Sequence, residues 1–236
     1  MSTLLGYNVH ATSLESIDLN KIKIINTINP HSYCVAKNDT VFMEALKQSD
    51  VLLPDGIGIV WAERFLNGNS IKKIAGYDLF MFLMKSLNKT SGSCFFLGAS
   101  EATLKKIEDK VKIDFPNIQV FSYSPPFKAE FSEEDSLVMC EKVNQVKPNI
   151  LFVGMTAPKQ EKWVFQNKER LESQIICSIG AVFDFYAGNI SRAPNILIKL
   201  GLEWVHRSVK NKRLLKRNLV SNPKFVFEVM KYKFRK

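Results

Sequence analysis

The sequence predicts an α/β fold in which helices are layered on a mainly parallel sheet. Three observations support this class: short apolar runs recur through the first 190 residues, amphipathic stretches separate them, and glycine or proline flanks most of the runs. Strands that alternate with helices favour parallel pairing, because each crossover helix returns the chain to the same edge of the sheet. The six predicted strands are Ile22–Ile28, Val51–Leu53, Cys94–Leu97, Ile118–Tyr123, Ile150–Val153 and Ile175–Ile179.

Two of the intervening helices show clear start signals. Apolar residues repeat at helical spacing after Ser100, and Ser132 followed by Asp135 forms a capping box. The first helix is predicted to bury Leu104, Ile107, Val111 and Phe115, and the second Leu137, Cys140 and the residues Val143–Val146.

The composition is that of a globular protein. The 236 residues are 46% hydrophobic and 24% charged, which is enough to bury a core without disulfides or a structural metal. The four cysteines are scattered without a C-x-x-C pair, which is typical of buried thiols in a reducing compartment. We see no signal peptide and no run near the ~18 apolar residues of a spanning helix, so a soluble or peripheral protein is expected.

The basic charge is concentrated towards the carboxyl terminus. Residues 199–236 contain twelve Lys or Arg and two acidic residues, which accounts for the whole net charge of +10. We therefore predict a main α/β domain over residues 1–195 and a basic amphipathic appendage over residues 196–236 with an anionic partner. Helices are expected over Ile196–Val209 and Leu214–Val220, and aromatic residues mix with lysines after Pro223. This pattern suits a membrane interface, but also an ordinary terminal helix packed on the core.

Polar residues stand at the ends of the first two predicted strands. Thr27 and Asn29 close the first, where they could present hydrogen-bonding groups at a pocket mouth or simply cap the next helix. Asp55 and Gly56 close the second, between strong apolar runs. Burial there would raise the pKa of an aspartate from about 3.9 towards the range of a general base. Pro-Asp-Gly is also an ordinary turn sequence, so both interpretations stay open.

Two later strand ends carry further candidates. Thr156 is expected to cap a helix with Pro158 in its first turn, and this helix start, with Lys159 and Gln160 close by, suits a phosphate. Asp184 lies among aromatic and small residues, as in a pocket wall or a backbone cap. No P-loop, G-x-G-x-x-G, D-x-D or G-x-S-x-G motif occurs, and the histidines lack metal-ligand spacing. The natural partners for phosphates are then the appendage arginines Arg207, Arg213 and Arg217.

Six motifs, in order along the chain, resemble the WecG/TagA/CpsF glycosyltransferases, glycosyltransferase family 26. The match runs from about residue 7 to residue 218, and the set in register is more specific than any one motif. The motifs are Asn29-Pro30-His31, Leu53-Pro54-Asp55-Gly56-Ile57-Gly58, Phe96-Leu97-Gly98, Ala157-Pro158-Lys159-Gln160-Glu161, Gly180-Ala181-Val182-Phe183-Asp184 through Arg192-Ala193-Pro194, and Gly201-Leu202-Glu203-Trp204.

The resemblance implies a Rossmann-like fold and an inverting, metal-independent transferase of bacterial cell-surface polysaccharide biosynthesis. It implies a UDP-sugar donor, a polyprenyl-diphosphate-linked saccharide acceptor and no cofactor. The transferred sugar would be N-acetylmannosamine, its uronic acid, glucose or a similar sugar. Asp55 matches the proposed catalytic base and Thr27 a second catalytic residue. The substrate-binding positions fall on Asn29, Gly56, Gln160 and Asp184, with Arg207, Arg213 and Arg217 closing over the site.

The resemblance also implies a place and partners. The enzyme would lie at the inner face of the cytoplasmic membrane, held to anionic lipid through residues 196–236, with homo-oligomers linked to the same region and no nucleic-acid partner. Two other hypotheses remain: a nucleic-acid-binding protein that uses the basic tail, and a UDP-sugar-binding protein without catalytic activity.

Overall fold

A computed structural model of the chain describes residues 1–21, 23–199 and 201–235. Its six-stranded sheet consists of β3 (Ile24–Ile28), β4 (Val51–Pro54), β5 (Ser93–Gly98), β6 (Gln119–Tyr123), β7 (Ile150–Gly154) and β8 (Ile175–Ser178). The spatial order is β4-β3-β8-β7-β5-β6, and every neighbouring pair is parallel. The predicted α/β class and its Rossmann-like layout are confirmed. Each predicted strand is present, although the expected start at Ile22 falls outside the described residues and β3 begins at Ile24.

Helices cover both faces of the sheet. They are α1 (Pro30–Ala36), α2 (Thr40–Lys47), α3 (Ile57–Asn67), α4 (Gly76–Thr90), α5 (Glu101–Asp114), α6 (Glu133–Asn144), α7 (Lys159–Asn167), α8 (Val182–Tyr186), α9 (Asn195–Lys199), α10 (Glu203–Lys210) and α11 (Lys212–Lys233). Helices α4, α5 and α8 share one apolar cluster with the sheet. Helices α1, α2, α3, α6 and α7 pack on the opposite face. Because helices cover both faces, the inner strands are mostly apolar rather than alternating, whereas the edge strand β6 is only partly buried.

The two helices with clear start signals form as predicted, with one error. Ser100 accepts the Thr103 N–H at the start of α5, and Ser132 and Asp135 form a reciprocal capping box at α6. In α6, Met139, Cys140 and Val143 are buried, whereas Leu137, predicted to face inwards, is 52% exposed. Leu137 lies roughly 200° from Met139 around the helix, since each residue advances about 100°.

A short amino-terminal hairpin was not predicted. Strands β1 (Ser2–Leu4) and β2 (Tyr7–Val9) pair antiparallel, and the hairpin joins the body through the His10 N–H, which donates to the Leu52 carbonyl at 2.9 Å. Leu5 and Gly6 turn with positive φ angles of 51° and 84°. Both residues of such a two-residue turn need this conformation.

The carboxyl-terminal helices differ from their predicted bounds. The expected helix Ile196–Val209 is divided into α9 and α10 at Gly201, whose φ is +73° and which packs against Ile57. Helix α11 runs without interruption through Pro223, where an end had been expected. A proline removes one intrahelical hydrogen bond. Here the turns beyond it are held by Phe225 and Val229, both buried in the cluster of α1 and α3.

Phe225 anchors α11, and its truncation is expected to be costly. Its ring is 1% exposed and meets Tyr33 edge to face at 5.3 Å between centroids. We expect Phe225→Ala to lower the free energy of unfolding by about 3–5 kcal/mol, because a large cavity would remain in a packed core. Denaturant unfolding measures this change. Leu219→Ala on the same helix is the matched control, since Leu219 is 65% exposed and should cost no more than about 0.5 kcal/mol. Equal losses in the two variants would contradict the anchoring role.

Candidate active site

The carboxyl edge of the sheet gathers candidate residues from four adjacent strands. Asp55 and Gly56 follow β4, Thr27 and Asn29 end β3, Asp184 follows β8, and Gln160 follows β7. In open α/β sheets the ligand crevice lies outside this edge. The fold therefore brings together residues that lie as far apart as 27 and 184 in the sequence.

Asp55 and Thr27 come from strands in direct register. Thr27 pairs with Leu53, Ile28 pairs with Pro54, and the Asp55 N–H donates to the Ile28 carbonyl at 2.9 Å. The side chains of Thr27 and Asp55 are both half-buried. Asp55 thus stands one residue before Gly56, the N-cap of α3, where the positive end of the helix dipole favours a negative charge.

The starts of α1 and α3 lie side by side next to Asp55. Gly56 has a φ of +98°, and a Cβ at Gly58 would lie 2.6 Å from the Pro30 ring. The positive φ favours glycine at position 56, and the close approach to Pro30 excludes a side chain at position 58. The two glycines of the Pro54–Gly58 motif therefore have packing roles that bring α3 against the Asn29-Pro30 turn.

Asn29 caps α1, as the simpler of its two interpretations predicted. Its Oδ1 accepts the Ser32 N–H at 2.9 Å, and its own N–H donates to Ser32 Oγ at 2.8 Å. This reciprocal box fixes the residue at the mouth of the crevice. The cap uses the carboxamide oxygen, so any ligand role of Asn29 would rest mainly on its Nδ2.

Gln160 connects the ends of β7 and β8. Its Oε1 accepts the Met155 N–H at 3.1 Å, and its Nε2 donates to Glu161 Oε1 at 2.8 Å. A Cβ at Gly180, after β8, would lie 3.5 Å from Gln160 Nε2. Gln160 is buried and only 4% exposed. Its first role is therefore to hold the Met155 loop after β7, with Gly180 of the β8 end packed close to its carboxamide.

The start of α7 differs from the expectation. The N-cap is Pro158, the helix begins at Lys159, and Thr156 accepts the Lys159 N–H through its backbone carbonyl. Lys159 Nζ bonds the Lys128 carbonyl and lies 3.6 Å from the centroid of the Phe131 ring. Burial lowers the pKa of this amine, although Asp135 partly opposes the shift. Lys159 is thus directed to the 128–131 loop rather than held beside Gln160.

Asp184 lies in the first turn of α8 rather than at a strand end. Its Oδ1 accepts from Asn189 Nδ2 at 3.2 Å, and its carbonyl accepts the N–H groups of Asn189 and Ile190. Asn189 is also bonded to Thr103 and Lys106. Asp184 therefore helps to hold the turn after α8, and its contribution to ligand binding stays a prediction.

The appendage arginines occupy different environments. Arg217 on α11 is half-buried, and its charge acts on His31, which follows the Asn29-Pro30 turn. Arg213, at the start of α11, is exposed, with its N–H bonded to Asn211. Arg207 belongs to α10, but its side chain lies outside the described residues. Of the arginines whose side chains are described, the structure brings Arg217 towards the crevice.

His31 joins α1 to α11 beside this arginine. Its Nδ1 lies 2.8 Å from Ser221 Oγ, one turn beyond Arg217. Burial, and secondly the Arg217 charge, lowers the pKa of His31 from 6.5 to about 4. Sequence reasoning noticed His31 only as part of a motif. Its role depends on the docking of α11, which no local pattern reveals.

The stability of the protein should depend on pH through His31. Because its folded pKa is below its unfolded pKa, the unfolded chain binds the proton first as the pH falls from about 6.5 to about 4. This contribution to stability is complete above pH 6.5 and is lost through that window. Glutamine does not titrate, so the free energy of unfolding of His31→Gln should lack this pH dependence. As the pH falls from about 6.5 to about 4, the wild type should therefore lose stability relative to the variant. Parallel curves for the two proteins would contradict the assignment.

A second network ties the segment after α8 to the start of α4. Arg192 bonds Glu203 and Asp78, each at 3.2 Å, and its guanidinium lies 4.5 Å from the Tyr77 ring centroid. Lys73 also reaches Glu203, at 3.3 Å. Burial would raise the pKa of Glu203, but Arg192 and Lys73 outweigh it and lower that pKa. These motif residues position the segment that leads to α10.

The described part of the chain offers neither a membrane-spanning helix nor a metal-binding cluster. Among residues 1–21, 23–199 and 201–235, no helix is long and apolar enough to cross a bilayer. Over the same ranges, no group of three or more His, Cys, Asp or Glu side chains is placed to hold a metal ion.

Comparison with known proteins gives consistent matches over nearly the whole chain. The profile described as "Glycosyl transferase WecG/TagA/CpsF family" matches residues 2–236. A protein of Bacillus subtilis (strain 168) is 32% identical over 88% of this chain and 79% of its own length. Its counterpart from Bacillus spizizenii is 31% identical over 92% of this chain and 82% of its own length. A third protein, from Staphylococcus aureus (strain MW2), is 29% identical over 89% of this chain and 80% of its own length. All three are named N-acetylglucosaminyldiphosphoundecaprenol N-acetyl-beta-D-mannosaminyltransferase.

Proposed function

Because the chain belongs to the WecG/TagA/CpsF family of glycosyl transferases, we propose that it moves N-acetylmannosamine from a UDP donor to a lipid-diphosphate-linked N-acetylglucosamine. The names of the relatives, at about 30% identity over most of both chains, carry this choice of sugar and acceptor. The product would belong to a bacterial cell-surface polysaccharide. The uronic acid of N-acetylmannosamine and glucose are the other donor sugars to be compared.

The proposed chemistry divides between two kinds of groups. Asp55 takes the proton from the attacking hydroxyl of the acceptor, with Thr27 beside it on the neighbouring strand. Removing a proton in this way contributes about 10²- to 10⁴-fold in rate. Two observations support this role: Asp55 is half-buried at the crevice, and it lies beside the start of α3. The positive end of a helix dipole favours a negative charge there.

The leaving diphosphate needs positive charge near the same edge. Arg217 is the best supported candidate. Helix α11 packs on α1 and α3, and the charge of Arg217 helps to lower the pKa of His31 beside the crevice. Arg213 and Arg207 could join when the substrate is bound. Fixed charges in a site closed to water stabilise a developing anion more strongly than in solution. Asn29, Gly56, Gln160 and Asp184 would shape the pocket for the nucleotide sugar.

We further propose that residues 196–236 hold the protein on the inner face of the cytoplasmic membrane. The exposed side chains of α11 and its C-cap include several apolar ones between lysines and arginines: Leu215, Leu219, Val220 and Phe227 on the helix, and Phe234 at the cap. Such a surface suits the boundary between headgroups and acyl chains. Anionic vesicles should bind the chain at physiological salt more tightly than neutral vesicles. Preferential binding to duplex DNA would instead favour the nucleic-acid hypothesis. Homo-oligomers through the same region are a further expectation.

A donor screen tests the function itself. Each UDP-sugar is incubated with a synthetic lipid-diphosphate N-acetylglucosamine, and UDP release is measured with and without acceptor. We expect acceptor-dependent release to be fastest with UDP-N-acetylmannosamine. Binding of UDP-sugars without turnover of any of them would favour the non-catalytic hypothesis.

A further inference from the structure

Glu161 is a buried carboxyl group to which the proposed chemistry gives no task. It lies in the first turn of α7 and is 3% exposed. Its Oε1 accepts from Gln160 Nε2 at 2.8 Å. Its Oε2 has no hydrogen-bond partner among the described residues. A carboxyl group without full partners is expensive to bury, so its burial at this place calls for a physical reason.

The contact with Glu161 fixes which way the Gln160 carboxamide points. The Met155 N–H can only donate, so Gln160 must direct its oxygen towards it, as it does at 3.1 Å. The amide nitrogen then faces Glu161, which accepts. The hydrogen bond from Gln160 Nε2 to Glu161 opposes a 180° rotation of the carboxamide. Without an acceptor at position 161, the carboxamide could rotate. The Met155 loop would then lose its hydrogen bond.

The surroundings of Glu161 favour its neutral form. Asn26 donates through Nδ2 to Ser49 Oγ at 2.9 Å, which turns its Oδ1, a pure acceptor, away from Ser49. That oxygen has no partner in the described part of the chain either. Asn26 and Glu161 line the same narrow void, which leaves no room for a water molecule. An ionised Glu161 would add a second pure acceptor there, whereas a protonated one supplies a donor. Burial accordingly raises the pKa of Glu161 to about 7.

We propose that Glu161 is a positioning residue of the sugar-nucleotide site, held as a neutral carboxylic acid that locks the Gln160 carboxamide between the ends of β7 and β8. This inference rests on the proposed function for the identity of the ligand. One hydrogen of Gln160 Nε2 is used by Glu161, and the other is left for an oxygen of the bound nucleotide. The orientation of that donor therefore depends on a residue that does not touch the ligand.

Two substitutions separate the neutral hydrogen-bonding role from simple packing. In Glu161→Gln the side-chain oxygen can accept from Gln160 and its NH₂ replaces the protonated oxygen, whereas Glu161→Leu has neither group. We expect UDP affinity, measured by titration calorimetry on the full chain at pH 6, where Glu161 is mostly neutral, to stay within about twofold of wild type in Glu161→Gln. In Glu161→Leu it should fall about tenfold, since a small misplacement of a binding group is costly. Equal affinities for wild type and Glu161→Leu would overturn the proposal.

The pH dependence tests the protonation state, which a purely structural role would not affect. As the pH rises above about 7, wild-type Glu161 ionises and leaves a buried charge on Oε2 without a partner among the described residues. This charge should disturb the start of α7 that carries Gln160, so the UDP affinity of the wild type should fall relative to that of Glu161→Gln. A constant ratio of the two affinities from pH 6 to pH 9 would contradict a neutral Glu161. Glu63→Gln is the matched control, because Glu63 is fully buried on α3 and bonded to Asn67 and Asn69. It should bind UDP as the wild type does.

Hydrogen exchange of the Met155 amide distinguishes this proposal from the proposed function. The Met155 N–H should exchange slowly in wild type and Glu161→Gln, and at least about tenfold faster in Glu161→Leu, where its acceptor can rotate away. If the wild type binds no UDP, the proposed function fails, and the exchange result alone decides the positioning role. Unchanged protection in Glu161→Leu would then overturn it.

Discussion

Asp55→Asn should lower the rate of sugar transfer by about 10²- to 10⁴-fold while the protein still binds UDP. The substitution keeps the shape of the side chain at the end of β4 but removes its ability to take a proton from the acceptor hydroxyl. The backbone bond from the Asp55 N–H to the Ile28 carbonyl does not depend on the side chain, so the strand end should be preserved. Single-turnover transfer to the lipid acceptor and UDP titration together measure the two effects.

Asp109→Asn provides the control for this experiment. Asp109 is an exposed aspartate on α5, paired with Lys105, and its replacement should leave transfer unchanged. Transfer by Asp55→Asn at the wild-type rate would remove Asp55 from the role of base. A parallel loss of UDP binding would instead indicate that Asp55 shapes the donor pocket.

Arg217→Gln should lower kcat by about 10²-fold, because under the proposed function it removes fixed positive charge that stabilises the leaving diphosphate. Arg217 is half-buried and its charge acts on His31, whereas Arg213 is exposed. Arg213→Gln is the matched control: the same change at an exposed position four residues earlier on the helix should cost much less. Initial rates at saturating donor and acceptor measure both.

Two results for these variants would contradict the proposed role of Arg217. Equal rate losses would mean that the position of α11 in the structure does not distinguish the arginines. No loss in Arg217→Gln would move the stabilisation of the leaving group to other residues. Denaturant unfolding should accompany the kinetics, because a variant that releases α11 would lose activity for a structural reason.

The sheet could be predicted because its strands, apart from the edge strand β6, are buried on both faces. Runs such as Ile150–Gly154 are continuously apolar and end in glycine, so neither their type nor their limits depended on distant contacts. The hairpin β1–β2 could not be predicted in the same way. Its three-residue strands are too short to show a period, and their stability depends on residues more than 40 positions away, such as Leu52.

The errors at the carboxyl terminus have a tertiary cause. Pro223 ordinarily suggests a helix end, but Phe225 and Val229 insert into the cluster of α1 and α3 and stabilise the turns beyond it. Local propensity is a weak guide where packing opposes it. The same packing decides which arginine approaches the crevice, which explains why the sequence could name Arg207, Arg213 and Arg217 without ranking them.

The candidate site was predictable in place but not in detail. Strand-end residues of parallel strands share one edge, so Asp55, Thr27 and Gln160 could be grouped without coordinates. Their hydrogen bonds could not be inferred. Gln160 is engaged with Met155 and Glu161, and Lys159 turns towards Lys128 and Phe131, because loops far apart in sequence meet there.

The most direct test of the proposed function is mass spectrometry of the lipid product. The full chain is incubated with UDP-N-acetylmannosamine and synthetic lipid-diphosphate N-acetylglucosamine, with a metal chelator present. We predict a lipid-linked disaccharide that is heavier than the acceptor by one N-acetylhexosamine residue, together with an equal amount of UDP. Unchanged acceptor after complete consumption of the donor to UDP and free sugar would contradict it.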